Sequence, residues 1–466
     1  MVFSSVTFLF YFLPIFLILY FISPFKNTVL LVTSLFFYAW GEAGYIILLL
    51  VSITINYIFG LIIDKFSIDK RKQKISLLFG VTANLILLGY YKYFNFITEN
   101  IFAEPLNEQV HLPLGISFFT FQAISYLVDV YRKEAQVEKN PFNLALFISM
   151  FPQLVAGPIV RFKTVAEQIH KRSINISSIN MGIRIFVIGL SQKALIANSA
   201  AVPADNIFAL SEASLTIGLA WLGAVAYSIQ IYFDFAGYSN MAIGLGLILG
   251  FSFPKNFNYP YISQSITEFW RRWHISLSTW FRDYLYIPLG GNRLSPFRTY
   301  LNLMLVFLLC GLWHGAAWTF IIWGAYHGLF LMIERMKLSE ILKKTWRPFR
   351  HIYTLIVVIV GWVLFRSDSL DQALYFLKTM FTISEFVNTV SIQSLINNSQ
   401  WSTMLIGIVL STPIFIKIQS KIKSNSFSKS SIAITGILEV FYLSILLLSL
   451  ITISSGSYNP FIYFRF

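Results

Sequence analysis

The chain has 466 residues, 56% of them hydrophobic and only 12% charged, with a mean hydropathy of +0.67. Soluble globular domains carry roughly 25% charged residues, so this composition excludes water as the main solvent of the folded surface. Lysine and arginine number 35 against 21 acidic residues, a formal +14, but these charges cluster in a few loops, as expected of cytoplasmic loops between membrane spans and not of a nucleic-acid footprint.

Apolar runs of about 20 residues recur with short polar breaks, which predicts an all-α, polytopic transmembrane helical bundle. Runs such as 443–453 lack the strict alternation of a transmembrane β-barrel. The first 25 residues contain no Lys, Arg, Asp or Glu, so they lack the basic start of a cleaved signal peptide and predict a first, uncleaved span. Segments 29–40 and 45–63 lead to Lys65, Lys70, Arg71, Lys72 and Lys74, a loop assigned to the cytoplasm. The loop after the fourth span carries Glu99, Glu104 and Glu108 and falls outside, and segment 112–130 returns to Arg132, Lys133 and Lys139. The apolar stretch 141–158 has basic flanks on both sides, the second holding Arg161, Lys163, Lys171 and Arg172. That pattern predicts a re-entrant hairpin, broken near Pro152 and at Gly157-Pro158.

Further along, 178–201 and 217–233 cross, and 255–298 forms a long polar and aromatic region on the cytoplasmic side. Segments 301–313, 318–333, 352–364, 404–416 and 432–453 bring the total to about twelve crossings, in a range of 11–13, with both termini outside. The expected organisation is one membrane domain over 1–466, with peripheral spans in 1–110, a motif-bearing core in 111–335 and C-terminal spans in 336–466. Cys310 is the single cysteine, so no intramolecular disulfide forms.

Ionisable groups at membrane depth cost about 2.5–3.5 kcal/mol each, so those that persist face a cavity or a partner. His314 stands in GLWHGAAW (311–318) at the outer end of a span, beside the small-residue pair Gly311 and Gly315. Its imidazole suits proton abstraction from a hydroxyl at neutral pH, and the competing role is a histidine hydrogen-bonded inside the bundle. The stretch 265–283, SITEFWRRWHISLSTWFRD, reads as one amphipathic helix opened by a Ser265/Glu268 capping box, with Trp270, Trp273, Leu277, Trp280 and His274 on its aromatic side. Arg271, Arg272 and Arg282 either rest on lipid headgroups or hold a polyphosphate donor. Asp234, in the polar segment that also carries Asn240, needs a partner, and Arg161 is a candidate. His327, in a second small-residue run, reads as a packing residue; no phosphate-cradling loop and no HExxH metal motif occurs, so no metal site is expected.

Taken together, LFFYAWGE (35–42), LPLGISFFTFQAISYLVDVYR (112–132), FPQLVAGPIVR (151–161), YFDFAGYSNMAIG (232–244), FWRRWHISLSTWFRDYLYIPLGGNR (269–293), GLWHGAAW (311–318) and WGAYHG (323–328) resemble the membrane-bound O-acyltransferase family. Within it they resemble the bacterial branch typified by the alginate O-acetyltransferase membrane subunit. The resemblance implies a funnel-shaped bundle with a central tunnel, an invariant family histidine at His314 and a second at His274. It further implies acetyl-CoA as donor, no bound cofactor, a bacterial cytoplasmic membrane location, an exopolysaccharide or cell-envelope acceptor and an extracytoplasmic SGNH-type companion. On this reading the donor side and tunnel comprise Arg271, Arg272, Arg282, Trp270, Trp273, Asp234, Arg161, Asn240 and Trp313. D-alanyl transfer, or a transporter in place of an enzyme, are the alternatives; a transporter would show paired broken helices, and no second copy of the His314 or Arg161 segment is found.

Overall fold

The computed structural model describes residues 2–102, 109–155, 157–382, 390–414, 428–456 and 458–462. Glu104, expected outside, and most of the basic loop 417–429 lie outside the described residues. Among those described, seven helices are long and apolar enough to cross a membrane: Ala43–Lys65, Lys70–Asn100, Ile176–Phe208, Ile217–Ile248, Pro296–His314, Arg347–Arg366 and Gly436–Ser454. Thr7–Ile22 is a shorter apolar helix. Four more predicted crossings fall on Lys26–Gly41, Ile116–Arg132, Trp318–Ile333 and Asn398–Leu410, of 16, 17, 16 and 13 residues. At about 1.5 Å per residue such helices fall short of a hydrocarbon core of about 30 Å, and unlike Thr7–Ile22 they are not apolar enough to count among the shorter apolar helices.

The chain divides into two compact units, Met1–Phe186 with Ser239–Lys255, and Val187–Tyr238 with Asn256–Phe466. In the first unit, the stretch expected as a broken hairpin is a nine-residue helix, Pro141–Ser149, a turn at Met150, and a four-residue helix, Phe151–Leu154, with Leu144 and residues 146–155 all buried. Pro152 cannot donate to the preceding turn, which accounts for the break. Asn56 and Asn84 exchange side-chain hydrogen bonds at 2.9 and 2.8 Å between helices Ala43–Lys65 and Lys70–Asn100, satisfying two amides that would be costly to leave unpaired at this depth.

In the second unit, helices Pro296–His314 and Trp318–Ile333 form a tight hairpin. A Cβ on Gly311 would lie 2.2 Å from the Phe320 carbonyl oxygen, and one on Gly324 would lie 2.3 Å from that of Phe307. Backbone contacts this close require glycine on both sides, as in small-residue helix packing generally. Gly311→Ala is therefore expected to lower the melting temperature of the detergent-purified protein by overpacking, a cost of about 1–3 kcal/mol. Gly89→Ala, where an added Cβ meets nothing within 4 Å, should leave it unchanged or raise it, because alanine has the higher helix propensity.

Candidate active site

The helix that carries His314 ends there because Gly315 and Ala317 are extended (φ −166°, ψ 152° and φ −147°, ψ 154°) before Trp318 starts the next helix. The 5% exposed imidazole is fixed by rings: Trp323 and Phe365 each lie at 5.2 Å between centroids, and Trp313 at 5.0 Å. Its side chain faces a narrow space whose other walls are Ile231, Phe235, Trp273, Trp323, Trp362, Phe365 and Ile462. Apart from the imidazole these walls are apolar or aromatic. Such a lining excludes water and strengthens any electrostatic interaction made within it.

The stretch 265–283 departs from expectation. It is not one helix but two, Ile266–Arg272 and Ile275–Phe281, parted by an extended Trp273 (φ −97°, ψ 131°) and a left-handed His274 (φ 42°, ψ 56°). The interruption has a partner segment: Asn258 N–H donates to the Arg272 carbonyl and Ile275 N–H to the Asn256 carbonyl, each at 2.9 Å. These bonds replace part of the helical ladder at the break. Half of the predicted capping box is present: Ser265 Oγ accepts from Glu268 N–H at 3.0 Å, but Glu268 accepts from the Gln264 N–H at 2.9 Å and not from that of the N-cap residue Ser265. Glu334, buried at the end of the Trp318–Ile333 helix, completes the helix start. Its carboxylate accepts from Ile266 N–H (2.6 Å), Thr267 N–H (2.9 Å), Thr267 Oγ1 (2.6 Å) and Tyr353 Oη (3.2 Å). An anion at a helix N-terminus is stabilised by the orphan N–H groups there.

The break turns His274 inward, 1% exposed, with its ring 4.5 Å from Phe235 and 6.1 Å from Trp313. Trp313 is thus common to the surroundings of both histidines. Burial, and secondly the nearby His314, holds the His274 imidazole well below its ordinary range, so it is neutral at physiological pH.

The remaining predicted residues separate. Trp273 lines the site and packs on Trp362 at 4.7 Å, whereas Trp270 packs behind it against Phe307, Trp323 and His327 at 5.1, 5.6 and 5.1 Å. Arg271 is exposed; Arg272 is bound by Glu268 at 2.9 Å and donates to the Asn258 carbonyl at 3.0 Å; Arg282 pairs with adjacent Asp283 at 2.6 Å. Arg161 and Asn240 belong to the first unit. The ion pair expected between Arg161 and Asp234 is corrected: Asp234 pairs with Lys193 at 2.6 Å, both side chains 2% exposed. Lys193 sits in a π-helical turn, Gln192–Ala197, and Gly237 permits the approach, since a Cβ there would meet the Gly189 carbonyl at 2.7 Å and the Lys193 nitrogen at 3.0 Å. The pair also holds the wall of the site, for Lys193 donates to the Pro460 carbonyl and Asp234 accepts from Ile462 N–H at 3.0 Å.

Sequence reasoning missed Lys193, Asn256, Glu334, Trp362, Phe365 and Ile462. Lys193 was hidden inside an apolar stretch and Asn256 in an aperiodic loop, and Trp362 and Phe365 looked like ordinary span residues.

The model of the membrane-bound O-acyltransferase family matches residues 35–376. Over its full length the chain is 43% identical to a probable alginate O-acetylase of Azotobacter vinelandii, covering all of that protein. It is 36% identical, again over the full chain, to the peptidoglycan O-acetyltransferase of Helicobacter pylori, covering 98% of it. Identity to the teichoic acid D-alanyltransferase of Bacillus subtilis is 29%, over 60% of this chain and 73% of that protein.

Proposed function

The chain belongs to the membrane-bound O-acyltransferase family, and on that premise we propose that it moves an acetyl group from cytoplasmic acetyl-CoA across a bacterial inner membrane. The acceptor is a hydroxyl of an envelope polysaccharide, or of an extracytoplasmic SGNH-type partner that completes the transfer. The observation that carries this reading is the placement of His314, a buried imidazole at a helix end facing a narrow aromatic site. His314 takes the proton of the acceptor hydroxyl as its oxygen attacks the thioester carbonyl. The carbon–sulfur bond then breaks, and the departing CoA thiolate regains a proton from the imidazolium. Atoms balance without a metal or a redox partner. Acetyl is favoured over D-alanyl as the acyl group because the two O-acetyl relatives match this chain from end to end, whereas the D-alanyltransferase matches 60% of it.

Purified protein in liposomes, given acetyl-CoA labelled in the acetyl group, is expected to release CoA thiol and transfer label to a polysaccharide or partner hydroxyl. Movement of an intact solute with no thioester cleavage would establish transport instead. For the donor side, Arg271 is the guanidinium of the WRRWH segment that lies exposed, in contrast to the half-buried Arg272. Arg271→Ala should raise KM for acetyl-CoA with little change in kcat, the signature of lost binding shared by ground and transition states. An unchanged KM would return Arg271 to a headgroup-anchoring role.

A further inference from the structure

We infer that Asn256 is a positioning residue that locks His274 in the tautomer protonated on Nδ1, leaving its buried Nε2 as a bare lone pair for a bound group. The inference rests on the reading of this site as the acyl-transfer centre. Asn256 Oδ1 lies 3.1 Å from His274 Nδ1, 3.2 Å from Ser276 N and 2.9 Å from Ser276 Oγ. A backbone N–H can only donate, so the amide atom facing Ser276 N must be the oxygen and not the nitrogen. That oxygen can only accept, so His274 Nδ1 brings the proton. A neutral imidazole has a single N–H, which leaves Nε2 unprotonated; Nε2 is buried and has no hydrogen-bond partner among the described residues.

The backbone supports the same conclusion. A left-handed histidine is costly and persists where its surroundings over-determine it. Here the main chain of Asn256 accepts from Ile275 N–H at 2.9 Å while its side chain takes His274 and Ser276. One residue thereby fixes the kink, the ring orientation and the proton. Phe235, Phe257 and Trp313 pack around the ring, Ser276 Oγ lies 3.5 Å from its Nδ1, and His314 is a titratable group that bears on it. An amide adds no charge, so unlike a carboxylate it does not favour imidazolium. His274 is accordingly suited to accept a hydrogen bond from an N–H, O–H or S–H group of the donor or acceptor while remaining neutral.

The test is nitrogen NMR of the full-length, 15N-histidine-labelled protein in lipid bilayers, where protonated and bare ring nitrogens are distinct. The chain has six histidines, and the signal absent from His274→Gln identifies the one in question. The expected result is Nδ1–H with bare Nε2 in the wild type and mixed tautomers in Asn256→Ala, while Asn256→Asp, which keeps an acceptor, should retain the proton on Nδ1. Thioester turnover should fall at least about tenfold in Asn256→Ala and recover in part in Asn256→Asp. Wild-type His274 protonated on Nε2, or a tautomer unmoved by Asn256→Ala, would overturn the inference; if the alanine variant does not fold, the wild-type spectrum alone decides. A wild type that cleaves no thioester would overturn the function proposed above, and the tautomer measurement would still decide the role of Asn256.

Discussion

Substituting His314 with asparagine or alanine should reduce acetyl transfer by about 10²- to 10⁴-fold, the contribution typical of a positioned general base. Asparagine is the sharper probe. It keeps a polar side chain between Trp313, Trp323 and Phe365 but cannot take a proton, so the loss reports chemistry more than packing. Detergent-extracted His314→Asn should stay monodisperse and melt near the wild type. His327→Ala is the control, because His327 is fully buried in the same aromatic cluster, 5.1 Å from both Trp270 and Trp323, yet does not line the site. Its effect should be confined to stability. A folded His314→Asn protein that retains transfer within about threefold of wild type would sink the general-base assignment, since that is below the smallest effect expected of one.

The sequence made the bundle legible because lipid imposes one strong rule: backbone polar groups must be satisfied within each apolar segment, so hydropathy alone locates the helices. Helices Ala43–Lys65 and Arg347–Arg366 fall on the segments read from hydropathy. His314 was legible for a related reason, being an ionisable residue where such residues are expensive. The kink at Trp273-His274 was not, since the aromatic spacing of 265–283 fits one continuous helix and the bonds that break it come from Asn256 and Asn258. Periodicity reports which face is buried, and carries no information about a distant amide that competes for the ladder. The partner of Asp234, Lys193, was not among the candidates for a comparable reason. Charge conspicuous in a loop, at Arg161, drew more notice than a lysine surrounded by apolar residues on another helix, although the buried lysine had the greater need of a counter-ion.

Breaking the Lys193–Asp234 pair should be strongly destabilising. Both side chains are 2% exposed, so solvent screens little of their interaction, and Lys193→Met leaves a carboxylate in the interior with the Ile462 N–H but no counter-charge. Removing one partner of a buried pair costs about 3–5 kcal/mol, most of it the penalty for the stranded charge. Asp234→Leu strands the ammonium and should cost a similar amount, softened by the Pro460 carbonyl that Lys193 also meets. The double variant Lys193→Met with Asp234→Leu strands neither, so its melting temperature should lie above that of either single variant. Strict additivity of the two losses would show that the residues act independently and would refute the pairing. Transfer activity should follow a different order. Ile462 lines the His314 site and is held by the Asp234 carboxylate, so the double variant should recover stability while transfer remains reduced, because the bond that fixes the wall beside His314 is absent from it.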